Sequence, residues 1–158
     1  MRWQAQRDTA LDSLQIGVLA KAPSPLRSAG ALRKRMNKIN LAQKLSLIED
    51  HWNPRITGEL NGQLLKLVKF QGTFTWHHHE NEDELFLVVE GRFRMDYRED
   101  GSEREEWIEA GELVIVPRGV EHRPFAAEEC HVLLFEPAST LNTGNVEDSF
   151  TRKQLDHI

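Results

Sequence analysis

The segment Trp76-His77-His78-His79-Glu80-Asn81-Glu82-Asp83-Glu84 holds the densest group of metal-binding side-chain types in the 158-residue chain. In an extended strand successive side chains alternate between faces, so His77 and His79 point together and His78 points away. Two imidazoles about 6–7 Å apart along one strand can both reach an ion held between them. Glu84 opens the next apolar run, in which Glu84, Phe86 and Val88 share one face and Leu85, Leu87 and Val89 the other. With the first face inward, the Glu84 carboxylate enters the same cavity as the two histidines. A fourth ligand must come from a strand distant in sequence. His122 is placed for it, just after the run Leu113-Val114-Ile115-Val116 and the turn Pro117-Arg118-Gly119. Three imidazoles and one carboxylate suit Mn, Fe, Co, Ni, Cu or Zn and are poor for Mg or Ca. One divalent transition-metal ion, of the Mn, Fe, Ni, Cu or Zn type, is the expected cofactor.

Three adjacent histidines can also be an exposed chelating accident, and the spacing of Glu84 and His122 is what argues against it. Glu80, Glu82 and Asp83 read as a solvated turn. His51, His131 and His157 have no partners at ligand spacing and read as structural or exposed. Cys130, the single cysteine, sits in a strand-like run and reads as a small buried hydrophobe.

The elements that must position these groups are strands. Leu64–Phe70, Thr73–His79, Leu85–Val89, Arg92–Tyr97, Glu105–Ile108, Leu113–Val116 and His131–Glu136 are short β-rich runs. Turn signals separate them, including Gln71-Gly72, Glu90-Gly91, Asp100-Gly101 and Ala110-Gly111. Many short strands without intervening helices mean an all-β sandwich or barrel. One short helix precedes them: Asn40 is an N-cap with Gln43 three residues on, and Leu41, Leu45, Ile48 and Trp52 fall on one helical stripe before Pro54.

The run Gly72…His77-x-His79-x4-Glu84-x6-Gly91 resembles the first motif of the cupins, and Gly111-x5-Pro117-x-Gly119-x2-His122 resembles the second. Together they span residues 72–126. The resemblance implies a small jelly-roll β-barrel with a metal inside, ligated by His77, His79, Glu84 and His122. Two positions depart from the pattern: four residues rather than five separate Gly72 from His77, and Ala126 stands where the second motif has Asn.

The net charge of −5 is unevenly distributed. Residues 1–35 carry seven Lys/Arg against two Asp, and residues 36–158 carry thirteen against twenty-three Asp/Glu. The acidic part is unsuited to nucleic acid. No stretch is apolar enough to span a membrane, and a lone cysteine does not call for an oxidising compartment, so a cytoplasmic protein is expected. Residues 1–35 are expected to be a flexible extension, and residues 36–158 one barrel domain with its core at about 60–137.

Strand parity places Thr75, Phe86, Phe93, Met95, Tyr97 and Arg123 around the metal as the groups that bind a small-molecule ligand. With Thr75, His77 and His79 inward, Leu64, Val68, Phe70, Phe74 and Trp76 face outward. Together with Leu85, Leu87 and Val89 they form an apolar outer surface that predicts a homodimer. Three functions fit these features: a metal-dependent oxygenase or isomerase, a metal-containing ligand-binding or sensory module, and a storage-like barrel that the metal merely stabilises.

Overall fold

The computed structural model describes residues 36–158, and the expected flexible extension at 1–35 lies outside the described residues. One helix, α1 (Leu41–Leu45), precedes seven strands: β1 (Arg55–Leu60), β2 (Gln63–Thr73), β3 (Glu84–Glu90), β4 (Arg92–Glu99), β5 (Ser102–Glu109), β6 (Leu113–Val116) and β7 (His122–Pro137). β1 starts the barrel earlier than the expected residue 60. Its sequence Arg-Ile-Thr-Gly-Glu-Leu has too little apolar alternation to announce a strand.

All strand pairs are antiparallel. The order is β1-β2-β7-β3-β6, with β4 joining β5 to β7. The sixteen-residue β7 is the spine. Its C-terminal half lies between β2 and β3, and its first residues, His122–Phe125, pair with β4. This curls the sheets around one interior, with a seam where β5 and β6 each pair with a single strand. The interior is packed by Val68, Phe70, Phe86, Val88, Phe93, Met95, Val132 and Leu134, each of which stabilises the fold by roughly 1.5–3 kcal/mol when buried. Cys130 is fully buried among them, and burial pushes its thiol up to about 12. Gly91, in the tight β3–β4 turn, has φ +79°, and a Cβ there would lie 3.0 Å from the Glu129 carbonyl oxygen, so only glycine fits without a shift.

The helix is shorter than its stripe predicts. The Asn40 side chain accepts the Gln43 amide as an N-cap should, but the helix ends at Leu45. The stripe is divided between two cores. Leu45 and Ile48 pack with Leu67 and Leu133 on the outside of the sheet. Trp52, at φ +57°, turns into the barrel mouth and stacks 4.4 Å from Phe70.

The outward assignment of Val68, Phe70 and Phe74 is also overturned, since all three are buried in the interior cluster. Thr73 pairs with Phe125 and His77 with His122, so four residues advance on one side against three on the other. The extra residue works as a bulge. It reverses the parity between Phe74 and His77, so both point inward although they are an odd number of residues apart. The segment expected as a strand at Thr73–His79 is accordingly not continuous: beyond Thr73 it keeps a single bridge, His77 to His122. The two motif departures meet here as well, because Gly72 and Ala126 are cross-strand partners.

Candidate metal centre

His77 and His122 are joined by a reciprocal backbone pair: the His77 amide donates to the His122 carbonyl at 3.1 Å, and the His122 amide donates back at 2.8 Å. Each ring is then oriented by the carbonyl two residues upstream, Thr75 O at 3.1 Å from His77 Nδ1 and Val120 O at 2.9 Å from His122 Nδ1. A carbonyl can only accept, so each Nδ1 carries the proton and each Nε2 keeps its lone pair for a metal. Glu84 heads β3 opposite Val116 and points inward with Phe86 and Val88.

One ligand atom from each of His77, His79, Glu84 and His122 lies within 4.8 Å of the others. Glu84 Oε2 is 3.2 Å from His79 Nε2 and 3.5 Å from His122 Nε2. All four residues are less than 5% exposed. His79 Nε2, Glu84 Oε2 and His122 Nε2 are buried with no properly oriented hydrogen-bond partner. Buried polar atoms without partners are costly, and a cation placed among them removes that cost. Burial, and then the neighbouring His122, pull the His77 imidazole down to about 3, so it is neutral and ready to ligate. Burial pushes the Glu84 carboxyl up, but the imidazoles of His122 and His79 close beside it outweigh that and hold it below the ordinary carboxylate range. The donor set fits a divalent transition ion.

The peptide between the two leading ligands is clamped by the chain's C-terminal segment. The His78 amide donates to Asn145 Oδ1 at 2.9 Å, and the Asn145 amide donates to the His78 carbonyl at 3.1 Å. Gly144 passes so close that a Cβ would lie 2.1 Å from the His78 oxygen. The residues after Ala138 therefore take part in building the site.

A buried ion pair stands behind Glu84. Lys66 Nζ and Glu136 Oε1 are 2.7 Å apart, with both side chains 1% exposed. The β3–β7 register, Leu85 opposite Phe135, puts Glu136 beside Glu84. Burial and the Glu84 charge push Glu136 upward, and Lys66 opposes them. Neither residue was expected at the site. The available signal was a charge inside each of the apolar runs Leu64–Val68 and Leu133–Glu136, but the wrong parity for β2 put Lys66 outside.

The other expected ligand-binding residues are dispersed. Phe86 packs edge-on to His122 at 6.1 Å, and Phe93 lies deeper, against Phe70 and Phe86. Met95 and Tyr97 line a cavity of about 260 Å³ with Val114, Val116 and Val120. Thr75 contributes its backbone carbonyl. Arg123 is not brought to the metal group. As the neighbour of His122 in β7 it faces the other way, pairs with Asp96 at 2.7 Å and lies over Trp76. His51 and His131, expected to be structural or exposed, both bind Glu129, at 3.0 and 2.9 Å.

A family model for the cupin domain matches residues 65–136. A cupin-2 domain containing protein from Shewanella frigidimarina is 42% identical, with a TM-score of 0.59 over 63% of this chain and 93% of that one. YdbB, an uncharacterized protein of Bacillus subtilis, is 32% identical over 92 residues, which is 58% of this chain and 76% of that protein. An acireductone dioxygenase from Phaeosphaeria nodorum is 28% identical over 111 residues, which is 68% of this chain and 62% of the dioxygenase. Trp52, Gly144 and Asn145 fall outside the residues that the family model matches.

Proposed function

The chain belongs to the cupin family, and from that premise we propose that it is a metal-dependent enzyme, of oxygenase or isomerase type, acting on a small organic molecule inside the barrel. One observation carries this reading: four buried donor groups converge within 4.8 Å while the lone pairs facing the centre stay uncommitted. Held by the three imidazoles and the carboxylate, a divalent ion would supply Lewis-acid or redox chemistry there. The likeness to an acireductone dioxygenase supports the oxygenase branch.

The chain's own part is to hold and shield. Thr75 and Val120 set the imidazole tautomers, and the interior aromatics exclude bulk water. The 260 Å³ cavity at the β5–β6 seam is large enough for one substituted ring, since a cavity of about 150 Å³ already holds benzene. Its inner wall includes Tyr97 and Val116, the cross-strand partners of His122 and Glu84.

The test is reconstitution of stripped protein with Mn, Fe, Ni, Cu or Zn, followed by incubation with small-molecule extracts under air. The loaded protein should bind about one ion per chain and consume a compound that His122→Ala leaves untouched. Metal binding with no consumption above the His122→Ala control would reduce the protein to a binding module.

We also propose a homodimer and a cytoplasmic location. Two apolar rows cross the outer sheet face, Ile115-Leu85-Phe135-Leu65 and Leu113-Leu87-Leu133-Leu67. Leu45 and Ile48 cover the β2–β7 end, whereas Leu113 and Ile115 on β6 are more than half exposed. A second copy seated on β6 would cover them. Among the described residues no helix is long and apolar enough to cross a membrane, and the buried Cys130 thiol fits a reducing compartment.

A further inference from the structure

A second, smaller cavity touches the ligand group directly. It measures about 30 Å³ and is walled by Trp52, Val68, Phe70, Phe74 and Leu134 together with the flanks of His77 and Glu84. Every residue that lines it is buried. The space admits two or three atoms and no ring, since one water needs roughly 10–15 Å³ and benzene about 150 Å³.

The polar atoms along this wall are hydrogen-bonded elsewhere or belong to the ligand group. The Trp52 indole N–H donates to the Gln71 carbonyl at 2.7 Å. The Asn142 side chain, also in the wall, donates to the Phe150 carbonyl and accepts the Arg152 amide. His77 Nδ1 is bound to Thr75 O, and its other nitrogen belongs to the ligand group with Glu84. A buried water needs two to four polar partners, and small cavities with carbon walls stay dry and take up apolar atoms and molecules instead. The wall is also firmly built: Trp52 lies 5.0 Å from Phe74, and Phe74 lies 5.0 Å from Phe150.

We propose that this cavity holds dioxygen beside His77 and Glu84. The inference rests on reading the histidine–glutamate group as the metal centre of an enzyme, and within that reading it selects an oxygenase over an isomerase. The organic molecule then occupies the larger cavity at the β5–β6 seam, so the two reactants have separate places.

Xenon, an apolar atom of similar girth, is the probe. Crystals of the full chain, stripped and manganese-loaded, would be pressurised with xenon and compared with crystals of Val68→Ile, which adds one methylene to the wall. One xenon should sit in the cavity, against the Trp52, Phe74 and Val68 wall, in the wild type and be lost in the variant. In solution, oxygen pressure should broaden the Val68 and Leu134 methyl resonances above those of other buried methyls, a readout that needs no variant. An ordered water in the cavity, or the absence of both xenon and methyl broadening, would overturn the proposal. The metal content of the same crystals separates the two readings: metal bound beside a wet cavity sinks only the dioxygen site. Xenon seated in protein that takes up no metal sinks the enzyme and leaves a gas cavity.

Discussion

Replacing Lys66 by methionine isolates the buried pair behind the candidate metal centre. Methionine keeps most of the side chain's length and volume, so the packing change is small. What changes is that Glu136, 1% exposed, loses the ammonium 2.7 Å away. Removing one partner of a buried pair typically costs about 3–5 kcal/mol. The variant should therefore lose about 3 kcal/mol at pH 7, or roughly 7–14 °C in Tm. Urea unfolding of metal-stripped protein at pH 7 measures it. Lys66→Met combined with Glu136→Met should recover most of the loss, because no unpaired polar group remains. A loss below about 1 kcal/mol at pH 7 would refute the pairing argument and leave only packing.

Three further outcomes can be checked. Stripped protein should lose stability steeply below about pH 4.5. His77 and Glu84 both titrate below their unfolded values, so the unfolded chain takes up protons that the folded site refuses. Glu136, displaced the other way, opposes them until its unfolded carboxyl is protonated too, and the net slope between pH 4.5 and 3.5 is about 1.4–2 kcal/mol per pH unit; a flat urea-unfolding series over that range would contradict this. Gly144→Ala should weaken metal binding about 10–100-fold in a chelator competition, because the new Cβ displaces the His78 carbonyl and with it the ligand segment; unchanged affinity would show that the turn relaxes without moving His77 or His79. Light scattering at micromolar concentration should report about twice the 18.2 kDa chain mass, and Leu113→Lys with Ile115→Lys should return it to one chain; a wild-type monomer would remove the dimer.

Local backbone geometry made part of this protein legible in its residues. A strand repeats every two residues wherever it forms, so the common face of His77 and His79, and that of Glu84, Phe86 and Val88, followed from spacing alone. The glycine-marked turns and the Asn40 cap are equally local, since they depend on the φ and hydrogen bonds of a few neighbouring residues. Parity does not survive an inserted residue. The one extra residue between Thr73 and His77 is defined only against β7, and it turned Val68, Phe70 and Phe74 from outward to inward. Lys66 and Glu136 are 70 residues apart, and no local rule pairs them; the β2–β7 and β3–β7 registers do. Trp52 reads as the last residue of a helical stripe until the barrel mouth offers Phe70 and Phe74 a third ring. The clamp of Gly144 and Asn145 on His78 is likewise set by where the chain's end returns. The chain encodes its ligands through short-range periodicity, while the depth of the site, its charged neighbours and its two cavities exist only once distant strands are in register.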